Sequence, residues 1–367
     1  MKDVLLVGFG AVGAIYSLIL KRSGRASVTV IARGNFESIS SHGMHFKSKK
    51  FGDIQGWRPD RLFKSVAEAA DRPYSHVVVA SKAIPEVMRT PTLLSPLLSS
   101  PYIDNHPQPT YVILQNGLNV EKGLYYAVQK LCQGEPKIIS TALYIGTNLV
   151  DHNVVEHSHF DRLTMGIYRP ENYTATSNTP EEQSTLDEFE SLLHDGGGTV
   201  IVVPEVQRLK FSKNFWNVAF SSLATLTRYP IQAIFRHPDG SGDTPAPYVF
   251  PGTADLIKDY TLPNLRAILQ ELVNVGRALG FDETALPSSL VQSTLENTAP
   301  LHATADSVHI PSMLLDVEKG RPIEVEVIVG EVVRLARGKG VDIPRIETLY
   351  AFLLVLQNQL LRSSGPK

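Results

Sequence analysis

Cysteine is almost absent from this sequence: Cys132 stands alone among 367 residues. A lone cysteine excludes an internal disulfide, a Cys-x-x-Cys pair and a zinc ribbon, and it gives the oxidising secretory route no support. A reducing, cytoplasmic setting is the default expectation. Charge of one sign is also missing, since 35 basic and 37 acidic side chains leave a net charge of −2. A protein that tracks nucleic-acid phosphates usually carries a basic face, so no nucleic-acid partner is expected. Long apolar runs are lacking too. Ala351–Leu356 is typical of the longest, well short of the ~20 residues of a membrane span, so no membrane partner is expected. The amino terminus does not read as a signal peptide, because its short apolar run Val4–Val7 leads straight into Gly8-Phe9-Gly10. The tail Ser363–Lys367 matches no lipidation or retention signal.

What is present is a change of pattern part-way along. At ~150 residues per domain the length suggests two domains. The first part alternates short β-rich runs with helical patterns, which predicts a parallel sheet with crossover helices. Strands are expected at Val4–Val7, Ser27–Ala32, His76–Ala80, Tyr111–Leu114, Lys137–Leu143 and Thr199–Val203, with a helix at Ala11–Arg22. Val154–His159 and Arg162–Tyr168 read as two antiparallel strands about a short turn. Thr179-Pro180-Glu181-Glu182 has the form of a capping box, opening a helix to about His194.

From Pro204 the pattern becomes helical: Glu205–Thr227, Asn264–Leu279, Ser307–Glu318, Pro322–Arg337 and Pro344–Leu361. Leu265, Ile268, Leu269, Leu272 and Val273 share one helix face, and Gly280 caps that helix. Ile323–Val327 alternates like a strand, but Pro322 suits a first helical turn and no breaker precedes Gly338, so a helix is expected. Arg236–Thr253, with four prolines and three glycines, reads as a long loop. The expected architecture is an α/β Rossmann-type dinucleotide-binding domain, residues 1–203, followed by a mostly α-helical substrate domain, residues 204–367.

Gly8-Phe9-Gly10-Ala11-Val12-Gly13 is a GxGxxG sequence, weak alone but here set between a strand and a helix, with a second strand ending about 20 residues on. Gly8 allows the tight turn, Gly10 lets the backbone approach a pyrophosphate, and Gly13 lets the helix pack on the sheet. The helix N-terminus adds partial positive charge. A bare structural turn is the alternative. NAD-preferring folds place a carboxylate at the end of the second strand. This chain has Ala32-Arg33-Gly34, with no carboxylate before Glu37. Arg33 could pair with a 2′-phosphate, so NADP(H) is the expected cofactor; otherwise Arg33 is an exposed residue at a strand end.

Lys213, Asn217 and Ser221 recur every four residues, so on an ideal helix they share a face. They could hydrogen-bond a small polar substrate, or they could form a solvated strip. Phe211, Phe215 and Trp216 mark the helix as partly buried.

On these residues the whole chain, from Gly8 to the last helix, resembles the ketopantoate reductase (2-dehydropantoate 2-reductase) family. The family's lysine with asparagine four residues on is matched by Lys213 and Asn217. Its Ser-Met pair followed by a glutamate is matched by Ser312-Met313 and Glu324. Ser81-Lys82-Ala83 and Gln115-Asn116-Gly117 look like its cofactor-side segments. The resemblance implies NADPH across the first domain and a small keto acid held between the domains, with ketopantoate the leading substrate of a pantothenate-forming reduction. Lys213 would donate a proton to the alkoxide, and Glu324 would hold Lys213 or the cofactor ribose. Asn116 would sit at the nicotinamide end and Lys82 near the ribose and phosphates. Asn217, Ser221, His309 and Ser312 would face the substrate. A homodimer is kept as an expectation for its assembly.

Two positions depart from the family pattern: Ser221 and His309 stand where asparagines are usual. Both lie on the side that the family uses for substrate, so another keto substrate, as in a fungal-type paralogue, or a non-catalytic NADP(H) sensor, stays open. His309 is read as a proton donor, a carboxylate contact, or a residue packed beside Pro311. His157 and His159 alternate as metal ligands could, but a solvated hairpin is preferred and no metal is expected. Cys132 is read as structural.

Overall fold

The structure, a computed structural model, describes residues 1–240 and 244–364. Residues 241–243 of the expected long loop and the last three of the carboxyl-terminal tail lie outside the described residues. The chain divides into two compact units, Met1–Leu209 and the remainder from Lys210.

The first unit is built on ten strands: β1 (Lys2–Val7), β2 (Ala26–Ile31), β3 (Met44–Ser48), β4 (Gly52–Trp57), β5 (Arg61–Phe63), β6 (His76–Val79), β7 (Thr110–Ile113), β8 (Ile138–Asp151), β9 (Val154–Ile167) and β10 (Thr199–Val202). Their order is β4-β3-β9-β8-β7-β6-β1-β2-β5, with β10 paired to β9. Strands β8, β7, β6, β1, β2 and β5 run parallel. Such strands are covered on both faces, which is why β1 reads as an unbroken apolar run. Val4 and Leu6 enter one core with helix α1 (Ala11–Arg22) and helix α2 (Pro180–Asp195), while Leu5 and Val7 enter a second core on the other face. The capping box is complete: the Thr179 hydroxyl accepts from Glu182 N (3.2 Å) and the Glu182 carboxylate accepts from Thr179 N (2.7 Å).

One expected hairpin is absent. Val154–Tyr168 holds no turn; β9 is a single strand antiparallel to β8. Ile145 pairs with Asp161 and Thr147 with His157, so two extra residues of β9 bulge out between them. Asp161 is buried and bound by Lys50. His157 is likewise no solvated ligand: it is buried, bonded to Ser48 Oγ (2.9 Å) and stacked on Phe51, whereas His159 is exposed. Among the described residues, no group of three His, Cys, Asp or Glu side chains could hold a metal ion. Strands β3, β4 and β5 are not anticipated by the sequence pattern.

The second unit is helical. Helix α3 (Gln207–Trp216), whose first turn still belongs to the first unit, widens into a π-helical turn at Asn217–Ser221 and continues as Ser222–Thr227. After it come α4 (Leu262–Ala278), α5 (Leu290–Ala303), α6 (Ser312–Glu318), α7 (Glu331–Lys339) and α8 (Pro344–Ser364). Leu265, Ile268, Leu269, Leu272 and Val273 form the buried face of α4, and Gly280 comes after it at φ +94.

Four helix expectations need correction. Helix α5 was not foreseen, and Pro300 lies inside it. The helix expected from Ser307 begins at Ser312, because Pro311 stands as its N-cap and takes extended backbone. The helix expected from Pro322 starts at Val325, with a π-helical turn at Glu326–Gly330 leading into α7. It runs through Gly338 and stops where Gly340 turns left-handed (φ +67). Among the described residues, no helix is long and apolar enough to cross a membrane.

Candidate active site

In the first unit the candidate cofactor residues collect at one end of the sheet. Strands β7, β6, β1 and β2 are neighbours and parallel, so Asn116, Lys82, the Gly8–Gly13 loop and Arg33 all come after carboxyl ends. Open α/β sheets bind ligands at that end. Gly8 has φ +105, and a Cβ there would lie 2.5 Å from Ser81 N, so the loop is pressed against the segment leading to Lys82. At Gly13 a Cβ would meet Gly8 O at 1.9 Å. Gly10 is different: a Cβ there meets nothing within 4 Å, and the residue caps α1 without any side-chain bond. The open side of this turn and the uncapped first N–H groups of α1 make a cradle for an anion.

The loops around the cradle are tied to it. Asn35 Nδ2 donates to Phe9 O (2.8 Å), fixing the turn after Arg33 on the glycine loop. Gln115 Nε2 donates to Ser81 O (2.8 Å), joining the segments that carry Asn116 and Lys82. Arg33 is exposed, and among the described residues no carboxylate pairs with it. Glu37, the first carboxylate after β2, pairs with Lys64 (2.6 Å). Asn116 is half-buried and Lys82 exposed. These residues fit a dinucleotide, and the exposed side chain just after β2 is a guanidinium rather than a carboxylate.

Helix α3 opens in the last residues of the first unit, where the buried Glu205 carboxylate accepts from Gln207 N (2.6 Å) and Arg208 N (2.9 Å). Two turns later stands Lys213. Burial foremost, then the Lys210 charge, lowers its ammonium to about 8, against the opposing pull of the Glu324 carboxylate. Desolvation penalises the charged amine, and the nearby carboxylate keeps part of that charge favourable. Lys210 and Glu324 are both buried. Glu324 precedes its helix, and its carbonyl accepts from Ile328 N (3.1 Å) as the first helical bond.

Asn217 and Ser221 open and close the π-helical turn. A π turn takes one more residue than an α turn, so the three residues do not keep the ideal four-residue register assumed from their spacing. Asn217 is half-buried and Ser221 buried. His309 lies in the irregular segment before α6. Its ring meets Trp216 edge-on (5.5 Å) and lies 5.3 Å from His302. Burial pushes His309 down, and burial with the neighbouring His309 and Arg236 lowers His302 to about 4. Ser312 is exposed at the first position of α6.

Sequence reasoning passed over Lys210, Asn214, His302 and Gln357, and read Trp216 only as a mark of burial. Asn214 Nδ2 donates to Ile328 O (2.7 Å), binding α3 to the widened turn after Glu324. The Gln357 amide bonds both backbone groups of Ile323, accepting from its N (2.8 Å) and donating to its O (3.0 Å). A signal for Gln357 was legible: it interrupts the buried stripe Leu353–Gln357–Leu360, where a polar side chain needs a partner.

Comparison with known proteins agrees with this architecture. The family model described as ketopantoate reductase PanE/ApbA matches residues 4–170, and its C-terminal counterpart matches residues 253–357. An uncharacterized protein of Saccharomyces cerevisiae is 25% identical, over 100% of this chain and 96% of its own. The crystal structure of 2-dehydropantoate 2-reductase from Methylococcus capsulatus is also 25% identical. It covers 99% of this chain and 98% of its own at a TM-score of 0.72. D-mandelate dehydrogenase, solved with NADH and anilino(oxo)acetate, shares the fold at a TM-score of 0.71 and 16% identity, over 98% of this chain and 99% of its own. With both halves matched and full-length relatives on either side, the chain belongs to the ketopantoate reductase family of oxidoreductases.

Proposed function

We propose that the protein reduces a 2-keto acid to the 2-hydroxy acid with NADPH, ketopantoate to pantoate being the leading reaction. The observation that carries this reading is Lys213, half-buried and under the charges of Glu324 and Lys210, in a chain that also bears the open Gly10 cradle. Bound NADPH supplies the hydride that adds to the carbonyl carbon. Lys213 then gives the Nζ proton to the developing alkoxide, so hydride and proton together complete the two-electron reduction. General acid help of this kind is typically worth ~10²–10⁴-fold, and the ammonium also stabilises the oxyanion as it forms. An acid titrating near 8 is matched to neutral operating pH. Glu324 holds the ammonium in its charged form. Asn217, Ser221 and Ser312 contact the acid substrate.

Arg33 supports NADPH over NADH, because it offers a 2′-phosphate a charge-assisted bond where NAD-preferring folds place a carboxylate. Lys82 and Asn116 complete the cofactor side. A second substrate reading, an aryl or otherwise bulky 2-keto acid, is favoured by one observation: His309 packs its ring against Trp216 and His302 one helical turn beyond Lys213. The protein is placed in the cytoplasm, as a homodimer that sedimentation can check.

Lys213→Ala should bind NADPH nearly as the wild type does, by fluorescence titration, while turnover falls at least ~100-fold. Turnover is read from loss of NADPH absorbance with ketopantoate and with phenylglyoxylate. Tight NADPH binding by the wild type with no turnover of any 2-keto acid would return the protein to the sensor class. Normal turnover by the variant would remove Lys213 from its role.

A further inference from the structure

The segment that delivers Glu324 to Lys213 is not self-supporting. Residues Arg321–Glu324 form neither helix nor strand, yet Ile323 is fully buried and Glu324 nearly so. Pro322 has no N–H, so Ile323 N and O are the backbone groups that must find partners here without help from water. Gln357, itself 1% exposed on α8, meets both with one side-chain amide, as a neighbouring strand would. Helix α8 grips the same segment again seven residues earlier: Tyr350 Oη donates to a Glu326 carboxylate oxygen (2.5 Å), and its ring fills the space a Cβ on Gly330 would need. From the opposite side Asn214, next to Lys213, holds Ile328 O. The Glu324 backbone is thereby fixed on both flanks, immediately before it by Gln357 and one turn after it by Asn214.

We propose that Gln357 is a positioning residue of the reductase: by clamping both backbone groups of Ile323 it sets where the Glu324 carboxylate stands against Lys213. The inference rests on the reading of Lys213 as proton donor, and it assigns Gln357 no contact with substrate or cofactor. Its consequence is electrostatic. Among the charges acting on Lys213, Lys210 from its own helix disfavours the ammonium and Glu324 from the clamped segment favours it. Loosening the clamp lets the carboxylate withdraw, and Lys213 loses its proton at lower pH.

The test is a direct titration of Lys213 in the full chain, by NMR of ¹³C-methylated lysines assigned with Lys213→Met. In Glu324→Gln the Lys213 midpoint should fall. In Gln357→Met it should fall the same way, by about half a pH unit or more. Gln357→Asn keeps the amide but is one methylene short, serves if the Met variant does not fold, and should move the midpoint likewise. In the Glu324→Gln background neither Gln357 substitution should add a further change, since residues acting through one group are not additive. A Gln357 variant that melts earlier yet leaves the Lys213 midpoint at its wild-type value overturns the proposal, as does an equal change with Glu324 already replaced. Reductase assays run separately, so failure to turn over any keto acid defeats the functional reading while the titration still decides the role of Gln357.

Discussion

Lys213 should make activity and stability respond to pH in opposite directions. Its ammonium titrates near 8 in the folded protein, against an ordinary value of 10.5. At about 1.36 kcal/mol per pH unit, the folded state disfavours the Lys213 proton by about 3 kcal/mol, most of it from desolvation. Because the folded value is the lower one, the unfolded chain holds the proton more tightly between pH 8 and 10.5, and stability rises with pH across that window. On the proposed reading of Lys213 as general acid, activity runs the other way, since the acid must be protonated, and kcat/KM for reduction should fall as pH rises past about 8. The comparison is urea unfolding of wild type and Lys213→Met at intervals from about pH 7.5 to about pH 10.5. Groups remote from Lys213 titrate alike in both proteins, so the difference isolates this residue and its immediate charge partners. Glu324, left without its lysine, adds an offset to the variant. The decisive quantity is therefore the slope: wild type should gain on the variant by up to about 3 kcal/mol across the window. A difference that stays flat, or a wild-type rate that holds constant beyond about pH 9.5, would refute the reasoning.

The same geometry sets other outcomes. Gly10→Ala should melt within a degree or two of wild type, because its Cβ meets nothing in the fold, yet weaken NADPH at least ~10-fold by filling the anion cradle. Gly8→Ala should instead lose about 2 kcal/mol or more in thermal unfolding, from a positive φ and a clash with Ser81 N. Arg33→Ala should lower the preference for NADPH over NADH by about tenfold to a hundredfold in paired kinetic assays, the worth of a hydrogen bond to a charged group. Thr179→Ala should cost about 1 kcal/mol in denaturant unfolding, without changing catalysis, by opening the capping box of α2.

The first unit was legible where local rules and tertiary packing agree. Helix α1 spans Ala11–Arg22 as the glycine loop and apolar pattern require, and α2 starts at the capping box. The buried face of α4 matches its leucine spacing in the same way. Misreadings came where a distant contact overrides a local signal. Phe160–Asp161 was expected as a turn, but the long pairing with β8 and the buried Asp161 carry β9 through it as a bulge. Pro322 resembles a helix start, but Gln357, 34 residues on, supplies the bonds that keep the backbone before Glu324 out of the helix. Helix α5, with Pro300 inside it, has no counterpart among the expected helices. Candidate residue types were readable because chemistry restricts them. Of their supports, Gln357 left a trace as a polar residue in a buried stripe, but Asn214 did not, because it acts through a backbone group that any sequence would present.

The two widened turns explain why helical spacing describes this site only in part. One, Asn217–Ser221, begins four residues after Lys213; the other, Glu326–Gly330, begins two after Glu324, and the two pack together. A π turn leaves carbonyls without their regular helical donors, an expense when buried. Here side chains take two carbonyls up: Thr225 Oγ1 donates to Ser221 O (2.7 Å) and Asn214 to Ile328 O (2.7 Å). An α-helix offers directions only in steps of about 100° per residue, and a proton donor needs its carboxylate set more finely than that. Inserting one residue into each helix re-aims the side chains on either side of the insertion without breaking the helix. Removing the insertion by deleting Ala219 should therefore leave a helix of better intrinsic geometry and a poorer enzyme, with Ser221 turned relative to Lys213 and Asn217. A fully active deletion variant would show that the widened turn serves packing alone.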